Sequence, residues 1–356
     1  MVDEQQVRRI LQTVKHPKVQ KSFLDLGLIR NIGVDGDTVS LTLALKSENS
    51  PLRKGLEKQI DSVLRSLPGV SHVHMEVTAL NPEEWEKIFP PPAYQGIARV
   101  KQIVAVASGK GGVGKTTVAV NIALALAGQG LRVGLMDADI YGPSIPIMLD
   151  LTGTPEPLPD GMIRPFDKYG LKIMSLGMTA QEDEAFIWRG PIVDKMIRHL
   201  LGNVQWGELD YLIVDLPPGT GDPSITIAKA IPSCWILMVT TPQKVALADV
   251  RRAISLFRRY NLKIIGLVEN MSSFVSTPGA APLNIFGHGG GERLSREYDL
   301  PLLGTIPLDL TIRSSEDRGL PLIVAEPESP TATIFQGIAR MIRNVPGASC
   351  SPASSQ

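Results

Sequence analysis

The chain has 356 residues, 36 of them Lys or Arg against 36 Asp or Glu, and 43% are hydrophobic, so it can bury the cores of one large α/β domain and a smaller one. The balanced charge argues against a nucleic-acid partner held by electrostatics. The 2 cysteines, Cys234 and Cys350, exclude a disulfide framework or a four-cysteine metal site within one chain. No run of about eighteen apolar residues occurs and Met1-Val-Asp-Glu-Gln-Gln is polar, so neither a membrane span nor a signal peptide is expected, and the expected location is cytoplasmic.

Residues 1–79 read as a small α/β domain. Gln5 to Val14 places Val7, Ile10, Leu11 and Val14 on one helical face. The apolar stretch Phe23 to Ile29 follows, then an alternating strand Thr38 to Leu45, a helix from about Pro51 to Leu67 and a strand from Val70 to Thr78. Residues 80–99 lack periodicity and hold Pro90-Pro-Pro92, which predicts a semi-rigid linker. The large domain is expected over 100–346, and 347–356 is a Ser/Pro-rich, disordered tail carrying Cys350.

Ile103 to Val106 is a buried strand, and Val118 to Ala127 is a helical pattern. Between them Gly109-Lys-Gly-Gly-Val-Gly-Lys-Thr-Thr117 sits at the strand-to-helix turn that a phosphate loop requires. Gly109, Gly111, Gly112 and Gly114 let the backbone around Val113 curl its N–H groups toward an anion, and the helix start adds its positive end. Lys115 is placed to neutralise the β/γ oxygens of a nucleotide, Thr116 to ligate Mg²⁺, and Thr117 completes the binding stretch.

Leu131 to Met136 is a buried strand running into Asp137-Ala-Asp-Ile-Tyr-Gly-Pro-Ser144. Carboxylates at that end of a strand lie on the rim where α/β sheets bind ligands. Asp139 is placed to orient the attacking water; Asp137 either joins the Mg²⁺ shell or caps the next turn. Residues 152–170, rich in Pro and Gly, read as a loop; Leu171 to Leu176 is a strand; Trp188-Arg-Gly-Pro191 leads into a helix to about Leu201. Arg189 is either a phosphate or partner contact or a surface arginine.

Leu209 to Asp215 is an apolar strand ending in a second candidate Mg²⁺ residue, Asp215, and Gly219 follows where a switch loop must approach the γ-phosphate. Cys234 begins a further strand, through Thr240 to Gln243, and is expected to be buried. A charged amphipathic helix spans Leu247 to Tyr260, and strands follow at Lys263 to Val268 and Leu302 to Ile306. The apolar face of Ile334 to Val345 is expected to dock on the sheet rather than on a membrane.

Lys110, a second lysine in the loop, gives the deviant Walker A form. It resembles the superfamily of partition, septum-site and iron–sulfur carrier ATPases, so the fold class is expected to be an α/β P-loop NTPase with a mostly parallel, doubly wound sheet. The resemblance implies that Lys110 reaches the nucleotide of a partner in a homodimer. Asp-Ala-Asp-Ile-Tyr-Gly-Pro-Ser and Trp-Arg-Gly-Pro are similar to the Mrp family of iron–sulfur carrier ATPases. By that similarity Asn270 pairs with the adenine edge, Pro307 and Asp309 close the base pocket, and the cofactors are ATP and Mg²⁺. The small domain, with Asp25-Leu-Gly-Leu28 and Leu67-Pro-Gly-Val70, looks like the MIP18 type, with Ser50 where that type commonly has a cysteine.

The similarity also implies an iron–sulfur cluster, but the Cys-x-x-Cys that relatives carry after Met271 is absent, and from Ser272 to Gly291 no cysteine occurs. Thiolates hold such clusters, and Ser, Thr and Pro do not replace them. His288 is a lone imidazole in a glycine loop, so no cluster ligand can be assigned. Two functions follow as expectations. One is an ATP-hydrolysing carrier or assembly factor serving apo-proteins; the other is a cluster-free, ATP-driven dimer switch that recruits a protein partner.

Overall fold

A computed structural model describes residues 2–346 apart from 17–20, 46, 48–49, 51–52, 82–83, 86–87, 89–93, 140–141, 179–189 and 277–279. Arg189, Cys350 and the tail therefore lie outside the described residues. The chain forms two compact units, Met1–Pro92 and Ala93–Gln356.

In the first unit, Asp3 caps the helix Glu4–Leu11, its carboxylate accepting from the Gln6 backbone N–H while the Gln6 side chain accepts from that of Asp3. A three-stranded sheet follows in the order β1 (Ile29–Asp35), β2 (Thr38–Leu45), β3 (His72–Ala79). The helix Arg53–Arg65 crosses between the parallel pair β2 and β3, and its Leu56, Ile60 and Leu64 bury one stripe against Val39, Leu41, Leu43 and Leu45. Strand β1 was not expected. Phe23 to Leu28 is mostly turn, and β1 pairs antiparallel with β2 through the two-residue turn Gly36-Asp37, with Gly36 at φ +60°. Leu80 is buried and Trp85 and Ile88 pack on this core, so part of the stretch read as linker lies on the first unit.

The second unit holds an eight-stranded sheet. Its strands are β4 (Val100–Ser108), β5 (Val133–Asp137), β6 (Phe166–Lys168), β7 (Leu171–Ser175), β8 (Leu209–Asp215), β9 (Trp235–Thr240), β10 (Lys263–Glu269) and β11 (Leu302–Thr305). The order is β11-β10-β9-β4-β8-β5-β7-β6, and every pairing is parallel except β6 with β7. The central strands are buried on both faces, as their near-continuous apolar runs require. One core lies beneath the helices Gly190–Asn203, Asp222–Ala230 and Lys244–Arg259; the other surrounds the helix Lys115–Ala127. The sheet is doubly wound, with ligand chemistry expected outside the carboxyl ends of its parallel strands.

Strand β6 falls inside the stretch read as loop. It joins β7 through Tyr169 and Gly170, both at positive φ, the conformation of a tight hairpin turn. The helix Pro330–Arg343 buries Phe335, Ile338, Ala339 and Ile342, and it packs on the helix Lys115–Ala127 and on β11. Its apolar face is thus covered, chiefly by a neighbouring helix rather than by the sheet itself. Among the described residues no helix is long and apolar enough to cross a membrane.

Candidate functional site

Strand β4 delivers the loop 109–114 to the start of the helix Lys115–Ala127. Gly112 and Gly114 both sit at φ +76°, where a Cβ would be strained, and Gly114 is the residue that turns the chain into the helix. Val113 is buried in the core under that helix and anchors the loop, while Gly111 and Gly112 remain exposed. At the other end of the loop, a methyl on Gly109 would stand 2.6 Å from the Asp249 Cβ, and closer still to the Asp249 backbone. The helix Lys244–Arg259 therefore presses on the loop directly. G109A is expected to cost about 2 kcal/mol of stability and to weaken nucleotide binding, read by thermal unfolding and nucleotide titration; a melting temperature equal to that of the wild type would refute the contact.

The carboxylates stand on adjacent strand ends. Asp137 and Asp215 are direct register partners across β5 and β8, and Asp215 is in turn opposite Val106 of β4. Asp215 is fully buried. Its Oδ1 accepts from Lys115 Nζ at 2.5 Å and its Oδ2 from Thr116 Oγ1 at 2.6 Å. Burial pushes the Asp215 carboxyl up, and the Lys115 ammonium and the Thr116 hydroxyl oppose that shift.

Asp137 is also buried. Its Oδ2 accepts from Ser175 Oγ at 2.9 Å and its Oδ1 from the backbone N–H of Asp139 at 3.0 Å. Burial first, and the nearby Asp215 second, push its carboxyl up to about 7. Asp137 thus binds the local backbone at Asp139 while lying beside Asp215. Asp139 has an Oδ2 3.9 Å from Lys115 Nζ, a loose pairing, and it faces the phosphate-side cavity.

Two cavities adjoin the loop. The phosphate-side one, about 240 Å³, is lined by the loop, by Asp139 and by Pro218. The base-side one, about 200 Å³, is lined by Asn270, Met271, Pro307, Leu308 and Asp309 among others. Gly114 and Thr117 line both, so the two cavities adjoin at these residues. Gly219, at φ +87°, donates its N–H to the Ser108 carbonyl at 2.9 Å, which holds the loop after β8 beside the phosphate loop.

Several expected residues carry structural bonds as well. Asn270 donates from Nδ2 to the Val113 carbonyl at 2.9 Å and accepts the Met271 N–H at Oδ1, so its amide fastens the loop from behind. Asp309 caps the helix Leu310–Glu316 through the Thr311 N–H, and its other oxygen accepts from Thr331 Oγ1. Lys110 donates to Gln243 Oε1 at 3.1 Å within its own chain. Cys234 is fully buried immediately before β9. His288 is exposed. Among the described residues no group of three His, Cys, Asp or Glu is placed to hold a metal ion.

The sequence places Gln243 at the end of a buried strand without giving it a partner, and it assigns no role to Ser175 or Glu316. Each is remote in sequence from the group it serves, Glu316 accepting from Thr117 Oγ1 across 199 positions. Ser175, at the end of an apolar strand like Asp137 and Asp215, carried a signal that strand-end reasoning could have used.

Residues 99–343 match the profile of the NUBPL iron-transfer P-loop NTPases, and residues 4–77 that of an iron–sulfur cluster assembly protein family. The iron–sulfur cluster carrier protein of Synechocystis sp. is 43% identical over 349 residues, covering 96% of this chain and 97% of the relative. That of Escherichia coli K12 is 37% identical, covering 92% and 88%. A nucleotide-binding protein of Archaeoglobus fulgidus, solved in complex with ADP, matches with a TM-score of 0.58 at 34% identity over 67% of this chain and 93% of its own. The cell division ATPase MinD of Pyrococcus furiosus, at 22% identity and a TM-score of 0.52 over 68% of this chain and 99% of its own, shares the fold.

Proposed function

The chain belongs to the NUBPL-type iron-transfer P-loop NTPase family, with an iron–sulfur cluster assembly domain ahead of the NTPase domain, and on that premise we propose that it hydrolyses ATP as a homodimer to carry or assemble iron–sulfur clusters for apo-proteins. The observation that carries the proposal is the junction of Lys115 and Thr116 on the two oxygens of one buried carboxylate, at the foot of a loop of backbone amides.

Triphosphate laid across the two cavities meets the N–H groups of residues 111–115 and the dipole of the helix behind them. Lys115 is shared between Asp215 and the β/γ oxygens. Asp139, on the phosphate side, orients the attacking water and accepts its proton. Asn270, Pro307 and Asp309 bound the space for adenine.

The donors at this point are hydroxyl and carboxylate oxygens, which suit Mg²⁺. Thr116 and Asp215 would hold the ion, directly or through water, with Asp137 in the outer shell, and it would supply neutralisation of phosphoryl charge. Lys110 is held by a neutral amide, so its charge stays available to the nucleotide of a second copy, where a cation stabilises the transferring phosphoryl group. Gly219, tied to Ser108 beside Pro218, is the switch position through which phosphate status alters the dimer face.

The cluster, as cargo, needs soft ligands. Cys234 is sealed in the core, so a pair of chains offers at most the two copies of Cys350, together with ligands from the client or from solution. That shortage favours, as a second reading, a factor that serves the pathway as an ATP-driven dimer switch without holding a cluster. Anaerobic reconstitution with iron and sulfide separates the two. The carrier reading expects visible charge-transfer absorption and transfer to an apo-protein; loss of both signals leaves the switch.

A further inference from the structure

The base-side cavity holds a carboxyl that the sequence patterns leave without a role. Glu316 ends the helix Leu310–Glu316 and lines that cavity. Its Oε2 accepts from Thr117 Oγ1 at 3.1 Å and its Oε1 from the Asn121 amide at 3.5 Å. Thr117 lines both cavities, so the carboxyl stands where the phosphate side passes into the base side. In a nucleotide lying across both, that is the level of the sugar.

A carboxylate offers about four acceptor positions, and among the described residues two are taken. No cation pairs with Glu316 among the described residues, and Arg313, on the same wall, pairs with Asp317 at 3.5 Å. Burial pushes the carboxyl up to about 7 against the hydrogen bonds from Thr117 and Asn121, with the Asp317 charge adding to the rise. An acid held in a cavity without a counter-ion has spare acceptor capacity directed at a ligand. Of the other acids lining this cavity, Asp309 has both oxygens engaged in its own helix cap and on Thr331, and Asp317 pairs with Arg313.

We propose that Glu316 is the sugar-selecting residue of this nucleotide site, its free acceptor positions taking hydrogen bonds from the ribose hydroxyls, so that ribonucleotides bind in preference to deoxyribonucleotides. Ionised or protonated, the carboxyl keeps an acceptor oxygen for a hydroxyl. The inference rests on the nucleotide reading above.

Titration of the full chain with ADP, 2′-deoxy-ADP and 3′-deoxy-ADP in the presence of Mg²⁺ tests it. Loss of one hydrogen bond to such a group is expected to weaken at least one deoxy form about ten-fold in the wild type. E316A should bring ADP down to the level of the deoxy form, a ratio near one. If E316A does not fold, the isosteric E316Q carries the test, with a ratio lowered about three-fold or more. Equal affinity of the wild type for ribo and deoxy forms overturns the proposal. So does a folded variant that weakens all three ligands alike with the ratio unchanged, which would leave Glu316 only a brace for Thr117. A wild type that binds no adenine nucleotide removes the nucleotide reading itself, and this one with it.

Discussion

Replacing Lys115 by methionine is expected to lower ATP turnover by about 10²–10³-fold or more, because it removes a fixed positive charge from the foot of the phosphate loop. The same change is expected to cost stability. Lys115 and Asp215 form a buried pair, 6% and fully buried respectively, and removing one partner of such a pair costs about 3–5 kcal/mol while the other stays ionised. Asp215 can escape that cost by taking a proton, and burial already pushes it in that direction. The sign follows: without Lys115 the folded carboxyl lies still further above its unfolded value, so stability is kept at low pH and lost as pH rises. The deficit of K115M should be larger at pH 8 than at pH 5, and K115M/D215N should regain stability without regaining turnover. ATPase assays and melting curves at the two pH values read both effects. Turnover above a tenth of the wild-type rate would sink the assignment of Lys115.

Local pattern made the strand ends readable. Asp137 and Asp215 each close a buried apolar run, and such a run has only one place in an α/β sheet where its carboxylate meets a ligand. Their pairing was not readable, because β8 inserts between β4 and β5 from some seventy residues downstream, and no local signal encodes that neighbour. The same reasoning separates Lys110 from Gln243. The second lysine stands out inside the loop motif, whereas its amide partner, 133 positions away, lies in an ordinary strand-to-helix turn. Strands β1 and β6 escaped for a different reason: β6 has three residues, too few to display a period, and β1 is interrupted by a register shift between Arg30 and Gly33. Asn270 came from resemblance alone. The structure adds that its amide grips the Val113 carbonyl, so the base side and the phosphate side are fastened to each other before any ligand contact is counted. Glu316 escaped altogether, since Ser-Ser-Glu-Asp-Arg-Gly reads as any solvated helix end, and only the fold sets it against Thr117.

The acid beside Asp215 gives the second large effect, and it runs in the opposite direction. The Asp137 carboxyl is pushed from 3.8 up to about 7 by burial and by Asp215, so between those values the folded chain holds a proton that the unfolded chain releases. Stability from this group is complete below about pH 4 and lost as pH rises through 7. At about 1.4 kcal/mol for each pH unit the loss at pH 8 is about 4 kcal/mol if Asp137 titrates alone. Sharing a proton with Asp215 reduces it, and about 1–3 kcal/mol is the expected gain for D137N at pH 8, with none at pH 4. The amide keeps an oxygen for the Asp139 N–H, and its NH₂ can donate to Ser175 Oγ, so the local backbone is preserved. Turnover should nevertheless fall about ten-fold, because a neutral amide supports the proposed Mg²⁺ shell less well than a carboxylate. A variant more stable than the wild type yet slower marks a site where function holds a charge that folding would discard. Melting curves from pH 4 to pH 8 decide it: a D137N protein with the same pH slope as the wild type, or one less stable at pH 8, would mean that Asp137 is not the strained acid of the pair.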